Sequence, residues 1–149
     1  MLKPILLVED NPRDLDLSLR ALARTRLANE VVVARDGEEA WNYLTRRGNF
    51  ADRPQGNPAV VLLDLKLPKI DGVELLNLIR NEPELENLPV VMLTASREQT
   101  DVARSYALGV NAYVVKPIEF VDFLEAIRDL GVFWAVINEP PPGSIRLRP

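Results

Sequence analysis

The chain has 149 residues, 47% of them apolar and 27% charged, with a net charge of −4; that is the make-up of one soluble domain with room for a full core, and it offers nucleic acid no bulk attraction. Cysteine and histidine are both absent, which excludes disulfides, thiolate or His-ligated metal sites, a Ser-His-Asp triad and a histidine base. No apolar run nears the roughly 20 residues that cross a bilayer, and the start MLKPILLVED lacks the pattern of a secretory signal, so a cytoplasmic protein free of membrane is expected.

PILLV (4–8) is a short run of Leu and β-branched residues and reads as a first strand. In EDNPRD, Asn11 can cap a helix and Pro12 suits its first turn. Leu15, Leu19, Leu22 and Ala23 then recur at helical spacing, which predicts a helix to Arg24. EVVVA (30–34) predicts the second strand. DGEEAWNYL (36–44) predicts the second helix, with acids in its first turn where the dipole favours them. RRGNFADRPQGNP (46–58) is a loop rich in Gly, Pro and Asn. AVVLL (59–63) is the third strand, and GVELLNLIR (72–80) the third helix, with Val73, Leu76 and Ile79 inward. LPVVMLT (88–94) is the fourth strand. SREQ (96–99) has the form of a capping box, which starts the fourth helix there and runs it to Leu108, before Gly109. AYVVK (112–116) is the fifth strand, stopped by Pro117. FVDFLEAIRDLGVFWAVI (120–137) is the fifth helix, with Phe120, Phe123, Leu124, Ile127, Leu130 and Trp134 on one stripe. NEPPPGSIRLRP (138–149) reads as a tail.

Strand and helix thus alternate along the chain, and the strands are short and apolar. This predicts one α/β domain over residues 1–137, a doubly wound parallel sheet with helices on both faces.

In open α/β sheets, ligands bind beyond the carboxyl ends of the strands. Those ends carry Glu9 and Asp10, Asp64, Thr94 with Ala95, and Lys116. Three carboxylates on one edge repel one another and need a cation. Without His or Cys, the fitting ion is hard and oxygen-seeking, Mg²⁺ first. Asp64 is then a nucleophile able to form an aspartyl-phosphate. Lys116 offers a point charge to phosphoryl oxygens, Thr94 a hydrogen bond, and small Ala95 leaves access. Phosphoryl transfer by positioning and charge neutralisation fits this set. Each residue alone has a plainer reading: Asp64 as a strand-end cap, Glu9-Asp10 as a solvated turn, Lys116 as a surface lysine, Thr94 as a helix cap. Their joint placement at strand ends favours the site.

The blocks ILLVEDNPRD, VVLLDLKLPKIDG, PVVMLTAS and NAYVVKP, in this order across residues 3–135, resemble those of the response-regulator receiver domain of two-component signalling. The resemblance implies a flavodoxin-like (CheY-like) five-stranded sheet in the order 2-1-3-4-5. It makes Asp64 the phosphoacceptor, Thr94 the hydroxyl, Lys116 the lysine and Tyr113 the switch aromatic. It implies Mg²⁺ held by Asp10, Asp64 and the main-chain carbonyl of Lys66, with Glu9 acting through water, and a cis peptide between Lys116 and Pro117. Such a domain takes its phosphoryl group from a sensor histidine kinase. It catalyses its own phosphorylation and dephosphorylation as a switch rather than as a turnover enzyme. Its helix 4–strand 5–helix 5 face then meets a downstream protein or a phosphotransfer domain. RRGNFADRP, RSYALGVNAYVVKP and FWAVINEPPP are similar to the small regulators that accompany bacterial phytochrome-type kinases. Val132, Phe133, Trp134, Val136 and Ile137 exceed what one helix stripe hides, which predicts a homodimer through the helix-five end and the tail. The alternatives are a phosphorelay shuttle, a receiver-like interaction module that takes no phosphate, and an aspartate-nucleophile phosphatase. The last would place a second acid where Lys66 stands. A flavin binder would need a Ser/Thr/Gly-rich phosphate loop after strand one, which EDNPRD is not.

Overall fold

The apolar runs become five strands: β1 (Ile5–Val8), β2 (Val31–Ala34), β3 (Val60–Leu63), β4 (Val90–Thr94) and β5 (Ala112–Val115). The computed structural model describes residues 3–24, 29–95, 98–116 and 121. All pairings among them are parallel, in the order β2-β1-β3-β4-β5, as expected. Runs without polar alternation suit a sheet covered on both faces, and every residue of β1, β3 and β4 is buried. Alternate side chains divide between two cores. Leu6, Val8, Leu63 and Met92 pack with Leu76 and Ile79 of α3 (Gly72–Asn81). Ile5, Leu7, Leu62 and Leu93 pack with Leu15 and Leu22 of α1 (Pro12–Arg24).

Side-chain caps turn the chain from strand to helix at the carboxyl edge of the sheet. Asn11 Oδ1 accepts from the N–H groups of Arg13 at 2.9 Å and Asp14 at 3.0 Å. Asp36 does the same for α2 (Gly37–Thr45), accepting from Glu39 at 2.7 Å, and Asp71 for α3, accepting from Glu74 at 2.9 Å. Gly72 permits the close approach of α3 to the end of β3. A Cβ there would stand 2.2 Å from the Asp64 carbonyl oxygen, while the Gly72 N–H donates to the Leu65 carbonyl at 2.9 Å. The Asp71-Gly72 turn thereby fixes the backbone that carries Asp64.

Three details differ from the sequence reading. In α1 the buried stripe is Leu15, Ser18, Ala21 and Leu22, while Ala23 is exposed; Ala23 lies about 100° beyond Leu22 around the helix and leaves the core face. The loop after α2 contains one 3₁₀ turn at Gly48–Phe50, with Phe50 edge-on to Tyr43 and the Arg53 guanidinium 4.3 Å above the Tyr43 ring. And α4 (Gln99–Ala107) starts later than predicted. Glu98 is extended at φ −65° and ψ 131° and makes no side-chain cap. A helix running from Ser96 needs helical backbone at Glu98; Ser96 itself lies outside the described residues. Gly109 ends α4 with φ 88°, as expected. The fifth helix, the Lys116–Pro117 peptide, the tail and the surface expected to form a homodimer lie outside the described residues.

Candidate phosphoryl-accepting site

The sheet register assembles the site. Val8 pairs with Leu63 and Thr94 with Val115. Glu9 and Asp64 are therefore the next residues out on neighbouring strands, as are Ala95 and Lys116. Hydrogen bonds pin this backbone: Asp64 N–H donates to the Val8 carbonyl at 3.1 Å, Glu9 N–H to Ala34 at 3.0 Å, and Lys116 N–H to Thr94 at 2.9 Å.

Glu9, Asp10 and Asp64 each bring a carboxylate oxygen within 4.8 Å of the others. The Lys116 Nζ donates to Glu9 Oε1, to Asp64 Oδ2 at 3.1 Å and to Asp14 Oδ2 at 3.2 Å. The other Glu9 oxygen accepts from the Asn11 N–H at 3.2 Å. Glu9 is 1% exposed and Thr94 4%. Beside them opens a cleft of about 400 Å³, lined by Asp14, Asp64, Lys66, Thr94, Ala95 and Lys116 among others. A second cleft of about 430 Å³ runs from Asp10 and Lys66 past Pro68 to Asp101 and Arg104 of α4.

Burial, opposed by Lys116 and assisted by Asp64, pushes the Glu9 carboxyl up from its ordinary 4.5 to about 7. Burial also works against the Lys116 ammonium, but the Glu9 and Asp64 carboxylates outweigh it and hold that group above its ordinary value. The lysine stays charged at neutral pH, while Glu9 is near its midpoint.

Glu9, Asp14 and Asp64 share the Lys116 ammonium, and Asp10 adds a further carboxylate beside Glu9 and Asp64. A surplus of carboxylates with no nitrogen or sulfur donor fits a hard divalent cation. The residues singled out from strand ends (Glu9, Asp10, Asp64, Thr94 and Lys116) do gather at one edge, with Lys66 beside them. Tyr113 takes a different place: on β5 opposite Met92, half-buried against the core shared with α3. Asp14 was missed by attention to strand ends alone. It sits in the first turn of α1, and the acid in EDNPRD directly after β1 was its signal.

Over residues 5–128 the chain matches the response regulator receiver domain. It belongs to that family. The chain is 64% identical to the bacteriophytochrome response regulator RtBRR, covering 97% of this chain and 87% of that one with a TM-score of 0.85. It is 39% identical to the response regulator Rcp1 of Synechocystis over 89% of this chain and 88% of the relative. The Mn²⁺-bound form of Rcp1 superposes with a TM-score of 0.72 at 38% identity, covering 89% and 94% of the two chains. The phosphorylated cyanobacterial phytochrome response regulator RcpA does so with a TM-score of 0.73 at 40% identity, covering 89% and 91%. The chain is thus a two-component receiver protein related to phytochrome-associated regulators. Among the described residues, no helix is long and apolar enough to cross a membrane.

Proposed function

We propose that this receiver takes a phosphoryl group onto Asp64 from the phosphohistidine of a phytochrome-type sensor kinase in the cytoplasm. The observation that carries the reading is the Asp64 carboxylate at the end of β3, with the Lys116 ammonium 3.1 Å away at the mouth of the cleft. Mg²⁺ is the fitting ion: Asp10, Asp64 and the Lys66 main-chain carbonyl would hold it, with Glu9 acting through water, and it would supply neutralisation of charge between the carboxylates and phosphoryl oxygens.

Asp64 attacks phosphorus in line. An O–P bond forms and the N–P bond to the kinase imidazole breaks, its electron pair leaving with the nitrogen, which takes a proton from water. Lys116 neutralises charge on the phosphoryl oxygens and Thr94 donates a hydrogen bond to one of them. Hydrolysis of the acyl phosphate resets Asp64. The bound phosphate adds about −1.5 to −2 charges. It draws Thr94 inward, Tyr113 follows, and the face of α4 and β5 shifts between two states for a downstream protein or phosphotransfer domain. A homodimer through the C-terminal region presents that face in pairs. That Rcp1 is known with Mn²⁺ and RcpA in phosphorylated form supports the same chemistry here.

The test is phosphotransfer from a phosphorylated phytochrome-type kinase. The wild-type chain is expected to be labelled in Mg²⁺ and Asp64→Asn to stay unlabelled; equal labelling of the two overturns the assignment.

A further inference from the structure

An ammonium has three N–H donors and no more. At Lys116 all three have carboxylate acceptors: Glu9, Asp64 and Asp14. Glu9 and Asp64 belong to the acidic cluster at the strand ends. Asp14 does not. It reaches Lys116 from the first turn of α1, and its side chain is 36% exposed where that of Lys116 is 10%. It also lines the cleft into which a phosphoryl group on Asp64 must grow.

We propose that Asp14 is a charge brake on this receiver, a residue that competes with the phosphoryl group for the Lys116 ammonium and so weakens the phosphorylated state. The proposal rests on the reading of Asp64 as phosphoacceptor. A phosphoryl oxygen can bind Lys116 only by replacing one of the three carboxylates. Glu9 and Asp64 are members of the acidic cluster that would hold a cation, so Asp14 is the competitor that has no second task. Its oxygen and that of Asp64 are both bonded to Nζ, which places them within about 6 Å of each other. A charge at that range shifts an equilibrium about threefold per charge in the screening of water and up to about a hundredfold in that of a protein surface; a side chain as exposed as Asp14 belongs at the water-like end, about three- to tenfold. Because Asp14 is partly exposed, salt weakens the effect.

Asp16 supplies the control. It is exposed, carries the same charge on the same helix, and pairs with Arg20 at 3.1 Å.

The experiment titrates beryllofluoride, a phosphoryl mimic, into the full chain at saturating Mg²⁺, followed by ¹⁹F NMR or calorimetry at low salt and at about 0.5 M salt. Asp14→Asn is expected to bind about three- to tenfold more tightly than wild type, with the gap closing as salt rises. Asp14→Glu, which keeps the charge, and Asp16→Asn are expected to stay near wild type. Unchanged or weaker binding by Asp14→Asn overturns the proposal, as does an equal gain from Asp16→Asn. Failure of the underlying reading looks different: wild type then binds no beryllofluoride, or Asp64→Asn binds it as well as wild type does.

Discussion

Two cations, Lys116 and Arg80, anchor opposite kinds of structure in this protein. Arg80, near the end of α3, donates to the Gly109 carbonyl through Nε at 2.9 Å and Nη2 at 2.8 Å, and to the Leu88 carbonyl at 2.7 Å. It also bonds the Glu86 carbonyl at 3.2 Å and Asn111 Oδ1 at 2.8 Å. Every one of these acceptors is neutral. Burial alone lowers its pKa from the ordinary range. The planar fork is matched bond for bond, and it ties α3 to the connections that lead into β4 and β5. Lys116 is a point charge among carboxylates that outnumber it. An ammonium can exchange one oxygen for another with little change of geometry; a guanidinium set among fixed carbonyls cannot. The first arrangement suits a site that gains and loses a phosphoryl group, the second a permanent clasp.

The sharpest way to break this contrast is to remove each cation. Lys116→Met leaves Glu9 and Asp64 without their ammonium. Stripping one partner from a buried charge cluster costs about 3 kcal/mol, so urea unfolding at pH 8 in EDTA should show a loss of that size, with Mg²⁺ restoring part of it and phosphotransfer lost. A small loss of stability with phosphotransfer intact would mean that Lys116 is only a surface neighbour of the site. Arg80→Lys keeps the charge but gives up the fork. It strands several carbonyl oxygens and should cost about 2 kcal/mol, with beryllofluoride affinity unchanged. If that affinity falls in step with stability, Arg80 belongs to the site and the contrast fails.

The same two residues show how far the sequence could be read. β1, β3 and β4 were legible because a double-sided sheet demands unbroken apolar runs, and the acids and the lysine were legible because such runs end at the site edge. Asp14 stood in view as an acid just after β1, but its bond to Lys116 was hidden, because it spans 102 positions and depends on where α1 lies against β5. The Arg80 clasp was hidden for another reason: most of its acceptors are backbone carbonyls, and any residue type supplies those. The start of α4 was misplaced because SREQ is a local preference of about 1 kcal/mol, which the extended backbone at Glu98 overrides.

A subtler test concerns the carboxylate that is most deeply buried. Burial raises the Glu9 pKa from 4.5 to about 7, so the folded protein binds a proton there more readily than the unfolded chain does. Without Mg²⁺, stability is therefore highest below pH about 4.5 as far as Glu9 is concerned, declines as pH rises toward 7, and levels off above that. Glu9→Gln keeps the shape and mimics the protonated form, so it removes this slope. The ion pair with Lys116 that it deletes is already counted in the raised pKa. The expected result is a variant about 3 kcal/mol more stable than wild type at pH 8 in EDTA, or about 9 °C in Tm, with most of the difference gone near pH 5. Mg²⁺ should reverse the order, because a cation that binds the folded state stabilises the chain with the fuller set of carboxylates more. A difference that does not vary between pH 5 and 8 would show that Glu9 stays ionised throughout, with Lys116 holding it so. Lys116 would then be as firmly committed to its carboxylate as Arg80 is to its carbonyls, and the distinction between an exchangeable cation and a fixed one would no longer stand.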